Sequence, residues 1–194
     1  MFKRMVMVAA VMVLASSVVR AEQWQIDGAH SSVNFQVTHL VISKVNGKFG
    51  EFSGTFNFDG KDVTTGSVEM TVKSASISTD NERRDGHLKS PDFFDVEKFP
   101  EITFKSTKVV KGEGQKFQLV GDLTMHGVTK VVTFDCEFYG TVDLGGKVKA
   151  GFGASVRINR QDYGVSWSQT LDSGGLVASN DVDITIQLEL NKVA

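Results

Sequence analysis

The sequence has a single cysteine, Cys136, among its 194 residues. An intramolecular disulfide is therefore excluded, and an odd thiol in an exported protein can instead be reactive or link two molecules. However, Cys136 alternates with Val132, Phe134 and Phe138 at a spacing of two, which places all four on one face of a strand. Because free cysteine behaves as a small hydrophobe, we expect Cys136 to belong to the core.

The motifs of common catalytic and phosphate-binding sites are missing as well. The chain contains no G-x-S-x-G, the pattern of a nucleophile elbow, and Gly145–Gly146 lacks the lysine-serine continuation of a phosphate-binding loop. No pair of histidines has the i, i+4 spacing of a helical metal site; the four are His30, His39, His87 and His126. We expect no catalytic residue, no catalytic cofactor and no metal, hence a protein that is not an enzyme.

Apolar runs long enough to cross a membrane are also lacking. The apolar stretch Met5–Leu14 is shorter than the roughly 20 residues of a permanent anchor. It follows the cations Lys3 and Arg4 and precedes Val19–Ala21, a suitable signal-peptidase site. We expect residues 1–21 to be a cleaved signal peptide and residues 22–194 to form one domain. The mature protein would then be periplasmic, or secreted.

The chain has no excess of positive charge. Its formal net charge is −2, and cleavage would also remove Lys3, Arg4 and Arg20, leaving the mature domain more acidic. Nucleic-acid-binding domains are typically basic. We therefore expect no nucleic-acid partner.

What the chain does have is an alternation of apolar and polar residues over most of its length, the pattern of strands with one buried face. The apolar sets are Val33, Phe35 and Val37; Phe56 and Phe58; Val68, Met70 and Val72; Ile102 and Phe104; Phe117, Leu119 and Leu123; Val148 to Ile158; and Val182 to Leu190. Glycine-containing pairs between or near them predict hairpin turns; these are Asn46–Gly47, Asp59–Gly60, His126–Gly127 and Gly145–Gly146. The fold class predicted is all-β, an eight-stranded antiparallel up-and-down barrel.

One charged segment, residues 79–99, interrupts this pattern and predicts a helical insertion between strands. Asp80 is placed to cap a first helix over residues 81–89. Ser90–Asp92, with proline at a first helical position, predicts a second short helix. We expect the apolar side chains of the insertion to plug one end of the barrel; these are Phe93, Phe94, Val96 and Phe99.

Several motifs, taken in order, resemble those of the YceI-like polyisoprenoid-binding proteins. They are His30–Phe35 with His39, Phe52–Phe56, Arg84–Asp95, Gly121–Thr129 and Asn159–Val165. The resemblance covers essentially the whole mature chain. It implies a secreted or periplasmic, lipocalin-like barrel that holds a long apolar ligand, such as a polyprenyl chain, an isoprenoid quinone or a fatty amide.

Small inward residues indicate room for such a ligand inside the barrel. Gly54, Gly121, Ala150 and Ala154 fall on inward faces, and an eight-stranded barrel can hold one small ligand. The apolar residues expected to line the cavity are Phe35, Val37, Val68, Met70, Phe104, Phe117, Leu119, Phe134, Phe138, Phe152 and Val156.

Polar groups at the barrel mouth are candidates for binding the ligand's head group. They are His39, Arg84, Asp85 and His87. His39 shares a strand face with Phe35 and can instead be a structural histidine. Arg84 can clamp a phosphate, or pair with Asp85 or Asp95 and fix the helix to the rim. Arg160 beside Asp162 has the same two interpretations.

These observations favour a carrier that sequesters an isoprenoid or related amphipathic lipid. Its partner would be a polyisoprenoid, a quinone or a fatty-acid-derived lipid, with transient membrane contact. Two alternatives stay open: a stress or adhesion protein with a packed barrel, and an accessory to a membrane quinone enzyme. A homodimer through edge strands or residues 165–178, with Trp167 and Leu171, is also left open.

Overall fold

In the computed structural model, residues 21–172 and 174–193 are described. The predicted signal peptide lies outside this range except for Ala21. The strands are β1 (Glu22–Ile26), β2 (Ser32–His39), β3 (Ser43–Phe49), β4 (Phe52–Phe58), β5 (Ser67–Lys73), β6 (Ile77–Ser78), β7 (Glu101–Lys111), β8 (Lys116–Met125), β9 (Val128–Asp143), β10 (Val148–Asn159) and β11 (Ala178–Lys192). One α-helix, α1, spans Glu82–Lys89. None of the helices described has the length and apolar character needed to cross a membrane.

The strands close into an eight-stranded antiparallel barrel. Three of the eight positions, which we call staves, are each filled by two consecutive short strands: β1 with β2, β3 with β4, and β5 with β6. The strands β7 to β11 fill the other five. The long β11 closes the ring, because it pairs with β10 on one side and with β1 and β2 on the other. Each stave neighbours the next one in the chain. The predicted eight-stranded up-and-down barrel is therefore confirmed.

Backbone conformation confirms three of the four predicted turns and shows that the fourth, Asn46–Gly47, is wrong. Positive φ angles occur at Gly60, at His126–Gly127 and at Gly145–Gly146. Asn46–Gly47 was expected to be a turn but lies within β3, where a β-carbon at residue 47 would overlap the Phe35 ring. The glycine there makes room for an aromatic ring. The actual β2–β3 turn is Leu40–Ile42, in which Leu40 and Val41 have φ of 51° and 66°.

The predicted insertion is present, with one helix where two were expected. Asn81 caps α1, since its Oδ1 accepts a hydrogen bond from the Arg84 amide at 3.0 Å, whereas Asp80 adopts φ 58° outside the helix. Residues 91–94 and 96–98 form turns, so the predicted second helix is wrong. In a second helix the amides of this segment would bond to carbonyls within that helix. Here they bond to the last residues of α1 instead, since Phe94 N–H donates to the Leu88 carbonyl. These turns carry Phe93 and Phe94 onto the barrel.

One half of the barrel interior is filled with aromatic rings. Trp24 is fully buried and stacks on Phe58, whose ring meets Phe138 and Phe152 edge to face. Phe138 and Phe152 are themselves stacked, with centroids 5.0 Å apart. We call these four rings the aromatic plug. Such ring pairs stabilise a core beyond the area they bury, so this half of the barrel is a packed core.

The single cysteine lies in the core, as expected. Cys136 is buried on β9, and burial raises the pKa of its thiol to about 12. Its reactive thiolate form is therefore scarce at neutral pH. Cys136 serves as a small apolar side chain.

Candidate ligand-binding site

The other half of the barrel encloses a cavity of about 580 Å³. This volume falls within the range of small-molecule binding sites. Its wall is mostly apolar and is supplied by strands on several sides of the barrel; examples are Val33, Phe49, Val72, Ile102, Leu123, Ile158 and Ile184. The inward faces of the staves therefore do two things. They pack together at one end and leave an apolar space at the other.

Of the eleven apolar residues predicted to bind ligand, five line this cavity. They are Phe35, Val37, Met70, Phe104 and Phe134. The other six belong to the packed core or lie against it; they are Val68, Phe117, Leu119, Phe138, Phe152 and Val156. Alternation along a strand identifies the inward face but does not give depth in the barrel. Ligand contact by the five cavity residues stays a prediction.

The insertion covers the cavity with an aromatic group. The His87 ring lies edge-on to Phe93 and to Trp167, with centroids 4.9 and 5.5 Å away. His87 Nε2 is also hydrogen-bonded to Asp92 Oδ2 at 2.9 Å. Because His87, Phe93 and Trp167 all line the cavity, they form its roof. The roof joins the insertion to the loop that follows β10.

Arg84 and Asp85 are both anchored to Thr79, directly after β6. Among the described residues Arg84 forms no ion pair with Asp85 or Asp95. Arg84 donates from Nε to Thr79 Oγ1 at 2.7 Å and from Nη2 to the Thr79 carbonyl at 2.9 Å. Asp85 accepts a hydrogen bond from the Thr79 amide at 2.8 Å. Although desolvation opposes it, the hydrogen bonds from Thr79 lower the pKa of Asp85. Arg84 lines the cavity and Asp85 does not.

His39 lines the cavity from the end of β2, on the face that its strand parity predicted. It lies opposite Ala178 on β11 and beside the Leu40–Ile42 turn. Of the four predicted polar residues, the structure thus brings His39, Arg84 and His87 to the cavity. Their binding to a head group stays a prediction.

A family profile described as a YceI-like domain matches residues 24–190. The chain belongs to the YceI-like family. A UPF0312 protein of Staphylococcus aureus strain N315 is 40% identical to this YceI-like protein over 167 residues, covering 85% of this chain and 95% of the relative.

Solved structures have the same fold as this YceI-like protein. The YceI protein of Campylobacter jejuni is 34% identical, with a TM-score of 0.71 over 87% of this chain and 97% of that one. A polyisoprenoid-binding domain from Saccharophagus degradans is 16% identical, with a TM-score of 0.68 over 88% and 98% of the two chains. The lipocalin-like barrel implied by the sequence motifs is thereby confirmed.

Sequence reasoning missed Trp167 and left Arg160 undecided. Trp167 lies in a loop without periodicity, so no pattern placed it in the roof; the sequence had offered it for a dimer. Arg160 is 5% exposed and lines the cavity. It binds backbone carbonyls across the loop and makes no ion pair with Asp162 among the described residues. Desolvation lowers the pKa of Arg160.

Away from the cavity, Asp27, His30 and Glu189 bring their ligand atoms within 4.8 Å of one another. A lysine already lies among these groups in this YceI-like protein, since Lys149 Nζ donates to Asp27 Oδ2 at 2.8 Å and also to Glu189. The cluster is best described as an ion-pair network that ties β10 and β11 to the segment after β1.

This network predicts an acid-sensitive contribution to stability. Hydrogen bonds from Lys149, and then from His30, lower the pKa of Asp27, whose value in the unfolded chain is about 3.9. The unfolded state therefore binds more protons as the pH falls below about 4, and stability is lost there. We expect Asp27→Asn to flatten the fall in Tm between pH 5 and pH 2. The exposed Asp162→Asn serves as control; identical slopes for wild type and Asp27→Asn would contradict the prediction.

Proposed function

We propose that this protein is a periplasmic carrier that holds the tail of a long-chain isoprenoid, or of a related amphipathic lipid, inside its barrel. The observation that supports this most directly is the apolar cavity of about 580 Å³ beneath the roof. The polyisoprenoid-binding domain from Saccharophagus degradans has the same fold. In this proposal the protein is a binding protein and not an enzyme.

Apolar burial can supply the affinity that such a carrier needs. Each buried methylene contributes about 0.8 kcal/mol, so a tail of a few isoprene units gains several kcal/mol before the cost of ordering it. The cavity wall offers the tail contacts from Phe35, Val37 and Met70, and two of its charged groups, Arg83 and Arg84, come from α1. This arrangement suits a ligand with one polar end. A barrel packed throughout, as the stress or adhesion alternative requires, does not match the cavity.

The ligand can be identified on protein purified without detergent. Native mass spectrometry should show an added mass, and organic extraction should release a lipid with a long apolar chain. The extracted protein should then take up that lipid at one equivalent per chain. Purified protein that carries nothing and binds no isoprenoid or fatty lipid would refute the carrier function.

Export is part of this proposal and has its own test. Cleavage after Ala21 would make Glu22 the first residue of the mature protein, and Glu22 begins β1. N-terminal sequencing of protein from a periplasmic fraction should therefore read Glu-Gln-Trp-Gln. An uncleaved chain confined to the cytoplasm would contradict the export step but not lipid binding.

A carrier must collect its lipid from a membrane, and the Leu40–Ile42 turn offers a contact. Val41 and Ile42 are 63% and 86% exposed at the end of the hairpin that carries His39 into the cavity wall. Val41 also has a positive φ, which is unfavourable for a β-branched residue. Strained backbone of this kind is often found at functional sites. We propose that this apolar tip enters the membrane surface, next to the end of the cavity that His39 lines.

We expect Ile42→Asp to slow transfer of lipid between vesicles by about tenfold, because a charge at the tip opposes insertion into lipid. Affinity for dispersed lipid should not change, since Ile42 does not line the cavity. A fluorescent-lipid transfer assay measures the rate. Val131→Asp, at an equally apolar exposed site on β9, is the matched control. Equal slowing by both variants would contradict a specific role for the turn.

A further inference from the structure

The permanently charged residues that line the cavity all have the same sign. They are Arg83, Arg84 and Arg160, and the histidines His39 and His87 line the cavity as well. Among the residues that the structure describes, no aspartate or glutamate lines it. The chain as a whole has 23 acidic residues and 21 lysines and arginines, so the cavity departs from the average composition of the protein.

Arg160 is the most enclosed of these cations. Its Nη1 donates to the Val165 carbonyl at 2.6 Å and its Nε to the Ser179 carbonyl at 3.0 Å. Longer bonds from Nη2 reach the Ala178 carbonyl and Asn180 Oδ1. All four acceptors are neutral. A guanidinium has five N–H donors, so one on Nη1 is left over.

None of the three arginines forms an ion pair within the described part of the chain, although the charge of Arg84 helps to lower the pKa of the nearby Asp85. Ion pairs with N–O distances up to 4.0 Å involve Arg157 and several lysines, but not Arg83, Arg84 or Arg160. Arg84 is held by the neutral Thr79. A buried charge is costly unless it is paired. Arg83 and Arg84 are exposed, but Arg160 is 5% exposed and has no carboxylate partner. Its buried positive charge therefore lacks a counter-ion.

We propose that the cavity selects lipids with an anionic head group, a phosphate or a carboxylate, and that Arg160 is its main contact. This inference rests on the proposed lipid-binding function. The remaining Nη1 N–H of Arg160 can donate a charge-assisted hydrogen bond to an oxygen of either anion. Arg83 and Arg84 face the same space from α1 and add to the field. A neutral head group would leave the enclosed charge unpaired.

Three probes with the same tail test this selection on delipidated protein: farnesol, farnesoic acid and farnesyl phosphate. We expect both anions to bind about tenfold more tightly than the alcohol, the factor that separates a charge-assisted from a neutral hydrogen bond. The tighter of the two anions identifies the head-group class. Equal affinities for all three would overturn the selection but leave lipid binding intact. Binding of none would refute the carrier function itself.

Variants assign the selection to Arg160. Arg160→Gln should abolish the preference for anions and leave farnesol affinity within about twofold, whereas Arg160→Lys should keep part of the preference because it keeps the charge. Arg157→Gln removes an exposed arginine of β10 outside the cavity and should change neither. If Arg160→Gln weakens farnesol and the anions equally, the residue only fastens the loop and the assignment is wrong. Should that variant not fold, Arg84→Gln must reduce the preference for the proposal to hold.

Discussion

Replacing Trp24 by alanine should lower the free energy of unfolding by about 3–5 kcal/mol. Trp24 is fully buried, and its ring stacks on Phe58 with centroids 4.9 Å apart. Its Nε1 also donates a hydrogen bond to the Phe58 carbonyl at 3.3 Å. The substitution removes one of the four rings of the aromatic plug and leaves a cavity that its neighbours cannot fill. Urea denaturation followed by circular dichroism measures the loss.

Two further variants make this measurement interpretable. Trp24→Phe keeps an aromatic ring and should lose less stability, which matters because a loss near 5 kcal/mol can unfold a marginally stable domain. Leu144→Ala truncates an exposed side chain and should change stability by no more than about 0.5 kcal/mol. A loss below about 1 kcal/mol for Trp24→Ala would show that the aromatic plug is not the main source of stability.

Replacing Ala178 by tryptophan should reduce lipid affinity by about a hundredfold with little effect on Tm. Ala178 lines the cavity opposite His39, so the new ring has space to enter and then occupies the place of the ligand. The new ring would exclude a few methylenes of the lipid tail from the cavity, and at about 0.8 kcal/mol each this accounts for the expected loss of affinity. Isothermal titration with farnesol and thermal unfolding measure the two quantities on the same sample.

Ala150→Trp is the matched control, because it makes the same change in the packed half. Ala150 is 2% exposed on β10 and lies against Leu190 of β11. Overpacking there should cost about 1–3 kcal/mol or more. If Ala178→Trp destabilised the protein as much as Ala150→Trp, the empty space near Ala178 would be too small for a ligand.

Strand periodicity was enough to predict the closed barrel and the inward faces. It could not say how far along the barrel each inward residue lies. Phe35 and Phe138 both face inward by parity, yet Phe35 lines the cavity and Phe138 belongs to the aromatic plug. Depth depends on register between staves, and β-bulges such as the one between Gly151 and Phe152 shift that register. A sequence pattern along one strand contains no such information.

The polar part of the site was predictable only where a residue sat on a regular element. His39 could be placed by strand parity, and Arg84 and His87 by the charged insertion. Arg160 follows the end of β10, and Trp167 lies in a loop, so their positions depend on contacts distant in sequence. The Arg160 guanidinium bonds to Ser179, which only the folded chain brings near. The wrong prediction for Asn46–Gly47 has a similar cause, because Gly47 leaves space for the Phe35 ring on the neighbouring strand.

The aromatic plug and the cavity occupy opposite halves of one barrel. The rings around Trp24 pack against one another in their own half. A ligand bound in the other half would then add its binding free energy to the stability of a barrel that already has a packed core. We therefore expect the proposed carrier to remain folded when it releases its ligand and to bind ligand again.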